Sequence, residues 1–250
     1  MIGIGGSGMS AIATLLLESG CVVSGSDALA SETTAKLAAL GAIISIGHKA
    51  ENVAGADQVV VSSAVQPDNP EVAAANANGI PVLKRADFIG GLMAGRVGVA
   101  VAGTHGKTTT TALISYILLR ADRDPSFIVG GVLADLGTNA RHGNGEPFVV
   151  EADEYDGMFL GLRPKVAVVT NMEHDHPDCY PTLESYQKAF EQFIALIPGD
   201  GLLIACRDDA GAKQLGEVAT QNGKRVIWYG LKNGVSWKAE NVQANGAGGS

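Results

Sequence analysis

Short apolar runs alternate with helix-patterned segments along nearly the whole chain, and that rhythm predicts a parallel sheet covered by helices on both faces. After a glycine-rich turn at residues 3–8, Met9–Glu18 reads as a helix, "CVVSGSD" (21–27) as a strand and Glu32–Leu40 as a helix stopped by Gly41. "AIISIGH" and "DQVVVSSAV" supply further strands, Pro70–Asn78 reads as a helix entered through its proline, and the unit closes at "GIPVLKRADFIGGLM". A second alternation opens at "VGVAVAG" (97–103). It continues with a helix at Thr108–Arg120, the runs "FIVGG", "PFVVEADE" and "KVAVVTN", a helix at Ser185–Ile197, and the runs "GLLIA" and "RVIWYG". The expectation is two α/β domains, 1–92 and 97–250, with a linker near Leu92–Arg96.

The second unit carries "GTHGKTT" (103–109) between its first strand and first helix, the setting a phosphate-binding P-loop requires. Gly103 and Gly106 let the backbone curl so that the N–H groups of Thr104, His105 and Thr109 face inward, and the helix start adds partial positive charge. Lys107 is placed to reach the β- and γ-phosphates of ATP, and Thr108 to offer its hydroxyl to Mg²⁺. The usual GxxxxGK[ST] spacing fails at Val101, so this loop is the shorter kind.

In an open parallel sheet, strand C-termini share one edge and ligands bind there. Glu151 follows one apolar run, and Asn171, Asp175 and His176 follow another, so these residues are expected to converge on the loop. Glu151 beside Thr108 makes a Mg²⁺ site plausible on oxygen chemistry, whereas His176 needs a second metal or a phosphate contact to explain it. Asp153, Glu154 and Asp156 crowd the same stretch, and spacing alone leaves open which carboxylate meets a metal. Glu151 stands nearest the strand end. His174 reads as an exposed loop residue.

The first unit carries "GIGGSG", which matches GxGxxG at Gly3, Gly5 and Gly8, with Asp27 ending the next strand. Such a turn accommodates a dinucleotide or any other diphosphate on a helix N-terminus, a nucleoside diphosphate sugar included. The pattern predicts a Rossmann-like first domain and a P-loop NTPase-like second one. An NAD(P)-dependent oxidoreductase stays open on the first turn, although it leaves the second loop unexplained.

A formal charge of −8, from 26 acidic and 18 basic residues with no basic run, argues against a general nucleic-acid or anionic-membrane surface. Three widely spaced cysteines fit neither a disulfide framework nor a CxxC zinc site, and suggest a reducing cytoplasm. No apolar stretch approaches the roughly 18 residues of a membrane span. Met1-Ile2 leaves almost no strand ahead of the first turn and "NGAGGS" closes without an element, so a fragment of a longer protein is expected.

Taken together, "GIGGSGMSAIA", "VSGSD", "VVVSSAV", "AGTHGKTTTTALI", "EADEYDGMFL" and "VVTNMEHDHPDCY" resemble, in this order, the Mur ligases of peptidoglycan precursor synthesis, and most closely their alanine-adding branch. The resemblance implies a first domain holding the UDP part of UDP-N-acetylmuramate and a central ATPase domain. It implies an ATP-dependent amide ligase in which the sugar's lactyl carboxylate becomes an acyl phosphate and L-alanine attacks it. A muropeptide-recycling member is the near alternative. Carried over by motif, Lys107 would stabilise the transferring phosphoryl group, Thr108 and Glu151 would hold one Mg²⁺ and His176 a second. Gly5, Gly6, Ser7, Gly8, Met9 and Ser10 would cradle the UDP diphosphate, with Asp27, His48, Ser63 and Arg85 around the rest of that ligand and Asn139 facing the sugar, unless it is simply a turn residue. Several relatives place a carbamoylated lysine on the helix after the D-H motif; the matching position here is near Phe190, and Lys188 falls on another face. The resemblance implies a further C-terminal domain that contacts ATP and the amino acid, expected to lie outside these 250 residues.

Overall fold

A computed structural model describes residues 1–66 and 68–242. Its first sheet is built from β1 (Ser24–Asp27), β2 (Ile43–Ile46), β3 (Val59–Val61) and β4 (Val82–Lys84), with β1 paired to β2 and β3 to β4, all parallel. Ile2 bridges Ser26 on one side and Val61 on the other, so a single residue joins the two pairs. The strand expected from Cys21 starts only at Ser24, where the register with Ile43 begins. Around this sheet lie α1 (Ser7–Glu18), α2 (Glu32–Ala39), α3 (Pro70–Ala77) and α4 (Arg85–Leu92). Ser31 and Thr34 form a reciprocal capping box that fixes where α2 starts.

The second sheet uses β5 (Val97–Ala102), β6 (Ser126–Leu133), β7 (Thr138–Arg141), β8 (Pro147–Glu151), β9 (Val166–Val169), β10 (Leu202–Cys206), β11 (Arg225–Gly230) and β12 (Trp237–Lys238). Its eight strands run in the order β12-β11-β10-β9-β5-β8-β6-β7. Every neighbour pair is parallel except β6 with β7. Helices α5 (Lys107–Arg120) and α7 (Ala210–Gln221) pack on it, and α6 (Leu183–Ala195) packs on α7 and on the segment after β8. β5 lies in the middle and is buried from Gly98 to Ala102, as a strand covered on both faces must be. Because β8 and β9 flank β5 in the same direction, the segments following all three strands emerge side by side.

"GTNARHG", where the sequence leaves Asn139 either facing the sugar or in a turn, contains the antiparallel strand β7, folded back on β6 and packed beneath α1. α6 begins at Leu183, ahead of the expected Ser185, because Thr182 caps the helix with Ser185 as its reciprocal partner. Below the sheet edge, Phe159 stacks on Phe193 at 4.8 Å and packs edge-on to Phe190, giving the segment after β8 a rigid apolar footing. No helix among the described residues is long and apolar enough to cross a membrane.

Candidate functional site

Between β5 and α5 the chain turns through Gly103 (φ +139°) and Gly106 (φ +79°), conformations that a side chain would strain. A Cβ on Gly103 would also run into the Thr170 hydroxyl and the Asn171 backbone. Residues just after β9 hold the loop from behind. The Asn171 amide donates to the His105 carbonyl at 3.0 Å and its oxygen accepts the His105 N–H at 2.8 Å, while the Thr170 hydroxyl donates to the same carbonyl at 2.7 Å. Thr104 is spent on this fixation: its hydroxyl donates to the Glu173 carbonyl at 2.8 Å, accepts the Glu173 N–H at 2.9 Å and lies 3.1 Å from the Tyr186 phenol. The His105 ring points outward to Glu173 and is mostly exposed. The two N–H groups expected to face inward are engaged here as well, that of Thr104 donating to the Asn171 carbonyl at 3.2 Å and that of His105 to the Asn171 side chain. No side chain caps the start of α5, so the N–H groups of Lys107, Thr108 and Thr109 remain turned towards the cradle.

Carboxylates close the site from β8. The Thr108 hydroxyl donates to Glu151 at 3.2 Å, and the other Glu151 oxygen accepts the Gly130 N–H at 2.5 Å. A hydroxyl and a carboxylate held together beside a phosphate cradle are a donor set that suits Mg²⁺, which takes one or two protein oxygens and fills its octahedron with phosphate and water. His176 does not join this pair. Its Nε2 faces Glu154 at 3.5 Å and Asp175 at 3.8 Å, with the Tyr155 ring edge-on at 5.1 Å, and its own backbone is left-handed at φ +53°. Among the described residues no cluster of three or more histidines, cysteines and carboxylates is placed to hold a metal. His174 is held by the Tyr180 carbonyl at 2.7 Å. Phe190 is buried in the core, and Lys188 lines a separate surface hollow with Asp156 and Asp178.

Glu154 is the residue that sequence spacing undervalued. It is fully buried, accepts from Lys107 Nζ at 2.9 Å, and lies 3.5 Å from the Tyr186 hydroxyl. Burial, reinforced by the Glu154 carboxylate, pushes the Tyr186 phenol above its ordinary range and keeps it a protonated donor.

The first glycine turn leads into α1, whose start is likewise uncapped by any side chain. Asp27 accepts the Gly5 N–H at 2.8 Å and so holds the turn. His48 is bonded through Nδ1 to buried Glu71 at 2.7 Å, yet still borders, with Gly5, Gly6 and Asp27, a groove of about 700 Å³. The Met9 side chain is buried in the core, leaving only its N–H to the turn, and the Ser10 hydroxyl is turned back to the Ser7 carbonyl at 3.0 Å. Ser63 is exposed and shares a hollow of about 400 Å³ with Arg85. Asn139, half-buried in β7, borders none of these spaces.

A further cleft of about 300 Å³ unites the two turns: Ser7, Gly8 and Arg85 line one side, Lys107, Glu151 and Asp153 the other. Arg85 lies so close over Gly8 that a Cβ there would displace its guanidinium, which donates to Asp153 at 3.3 Å.

A family model described as Mur ligase family, catalytic domain, matches residues 1–97, and one described as Mur ligase middle domain matches residues 101–250. The UDP-N-acetylmuramate–L-alanine ligase of Renibacterium salmoninarum is 55% identical over 229 residues, 92% of this chain and 49% of the relative. That of Bordetella petrii is 49% identical over 246 residues, 98% of this chain and 52% of the relative. The chain thus spans about half the length of the curated relatives it matches. Among solved structures, a UDP-N-acetylmuramate–alanine ligase from Thermotoga maritima superposes with a TM-score of 0.78 at 33% identity, covering 93% of this chain and 52% of the other. A murein peptide ligase from Psychrobacter arcticus superposes with a TM-score of 0.83 at 28% identity, covering 98% and 56%.

Proposed function

The chain belongs to the Mur ligase family, and we propose that it is the nucleotide-sugar-binding and ATP-binding part of a cytoplasmic UDP-N-acetylmuramate–L-alanine ligase, divided near residues 92–97. The observation that carries this reading is the single cleft in which Gly8 and Arg85 face Lys107 and Glu151. Two anionic ligands bound at those two turns would place the end of one beside the terminal phosphate of the other.

The chemistry asked of such a cleft is specific. A carboxylate is a poor acyl donor because its leaving group would be oxide. Transfer of the γ-phosphoryl group of ATP to the lactyl carboxylate gives an acyl phosphate and ADP, and attack by the alanine amine then forms the amide and releases phosphate. The first transfer needs alignment and charge neutralisation more than covalent help. Here the backbone N–H groups at the start of α5 would bind the triphosphate, and Lys107 would swing to the migrating phosphoryl group. Thr108 and Glu151 would hold Mg²⁺, which when bound neutralises phosphate charge. Arg85 over the start of α1 would receive the diphosphate of the UDP-sugar.

The test is binding and turnover. The 250-residue chain is expected to bind both UDP-N-acetylmuramate and a magnesium-bound nonhydrolysable ATP analogue by calorimetry, and the complete protein to release phosphate only when alanine, ATP and the UDP-sugar are all present. Stabilisation by NADH alone would remove the assignment. The superposition on a murein peptide ligase favours a second reading, in which a preformed peptide replaces alanine. Phosphate release with a peptide and none with free alanine would select it.

A further inference from the structure

Lys107 is not extended into the cradle. Its ammonium donates to the Gly103 carbonyl at 2.6 Å, to the Thr104 carbonyl at 3.3 Å and to Glu154 at 2.9 Å, which uses all three of its protons. Two of those acceptors belong to its own loop. The third is a carboxylate with no exposure at all, whose second oxygen, Oε2, is buried without a hydrogen-bond partner. A buried carboxylate left half-satisfied is costly. Its surroundings are nevertheless fixed: the Tyr180 phenol donates to the Glu154 carbonyl, Tyr186 is anchored to Thr104, and His176 stands 3.5 Å away on the open side.

We infer that Glu154 is a positioning residue that holds Lys107 back from the phosphate cradle in the unliganded protein and thereby sets the affinity of the cradle for a triphosphate. This rests on reading residues 103–109 as the ATP site. A triphosphate must take Lys107 away from Glu154 before the lysine can reach it. The carboxylate left behind faces His176 and the Tyr186 hydroxyl, the groups able to turn towards it, and it draws the lysine home when the phosphates depart. Glu154 therefore opposes binding twice, by competing for the cation and by placing a negative charge beneath the anion.

Glu154→Gln keeps the shape and an acceptor oxygen for Lys107 but removes the charge, so the fold is expected to survive. The probes are magnesium tripolyphosphate, which senses the loop alone, and magnesium adenylyl imidodiphosphate, both titrated calorimetrically into the 250-residue chain. The variant is expected to bind both probes about tenfold tighter than wild type, and in the complete protein to turn over more slowly because phosphates leave more slowly. Glu154→Asp, which retains the charge, is expected to return affinity towards the wild-type value. In a Lys107→Met background the same Gln change is expected to tighten binding by much less, since the competition has gone. A residue that merely supports the fold would weaken binding when altered. Wild-type binding with a Glu154→Gln affinity that is unchanged or weaker overturns the inference and leaves the ATP site standing. Wild type that binds neither probe overturns both.

Discussion

Lys107 and Thr108 are adjacent in sequence, yet each is tied to a different carboxylate: Lys107 to buried Glu154, Thr108 to Glu151 at the end of β8. That division makes their substitutions unequal. Removing the lysine cation strands a fully buried charge, and breaking such a pair from one side costs about 3–5 kcal/mol. Lys107→Met is therefore expected to lower the unfolding midpoint sharply as well as weaken magnesium-nucleotide binding, and Lys107→Met with Glu154→Gln to recover most of the lost stability. Chemical denaturation of the single and double variants decides this; a double variant no more stable than the single one would mean the pair is not coupled. Glu151→Gln can keep its one oxygen on the Gly130 N–H and turn its amide NH2 to the Thr108 hydroxyl, which can accept from it, but it removes the carboxylate charge offered to Mg²⁺. Its expected effect is a roughly tenfold rise in the magnesium concentration that half-saturates nucleotide binding, with stability little changed. The lysine, the threonine and Glu151 were legible because motif spacing and strand ends place them. Glu154 was not, since a run of four acids within six residues offers no periodicity to say which one turns inward, and that choice is made by the phenols of Tyr180 and Tyr186 arriving from later in the chain.

The elements that position this site follow largely from local pattern. β5 reads as a continuous apolar run because both its faces are covered, and α5 starts where Gly106 can take a left-handed turn. β7 escaped the pattern because its pairing is antiparallel and depends on β6 and α1, not on its own four residues. The β6–β7 hairpin is pinned at its far end by Asp124, which accepts the Asn144 N–H at 2.8 Å and pairs with Arg141 at 2.6 Å. The Asn144 N–H, and after it Arg141, hold the Asp124 carboxyl below the usual range. A carboxyl depressed on folding stabilises the protein above its unfolded pKa, and that contribution disappears as pH falls through the folded value. Asp124→Asn is accordingly expected to lower the thermal midpoint at neutral pH and to flatten its decline below about pH 4. An acid limb as steep as wild type would show that Asp124 is not among the groups responsible. At the other end of the site, Asn171→Ala removes both side-chain bonds to His105 and is expected to weaken tripolyphosphate binding severalfold while the UDP-sugar affinity stays put.

At the scale of the whole molecule, the proposed function asks a chain of net charge −8 to gather two polyanions into one cleft, and local donors would serve it there in place of a basic surface. Two uncapped helix starts supply partial charge, one from each sheet. The full cations between them are few, and Arg85 is the one set across the gap, close over Gly8 of the first sheet's turn and bonded to Asp153 beside the second. The sequence placed Arg85 among ligand candidates, but its partner was out of reach of any local signal, because the two lie 68 positions apart and meet only when α4 packs on the turn following β8. If Arg85 serves the diphosphate, then Arg85→Gln weakens UDP-sugar binding by about tenfold and leaves the tripolyphosphate affinity almost unaltered, since the loop at 103–109 keeps its own lysine. If instead it chiefly ties the two halves together, both affinities fall in step and the unfolding transition broadens or splits. Titration of each ligand alone and in the presence of the other separates these outcomes, and a parallel loss of both affinities would refute the assignment of Arg85 to the nucleotide-sugar side of the cleft.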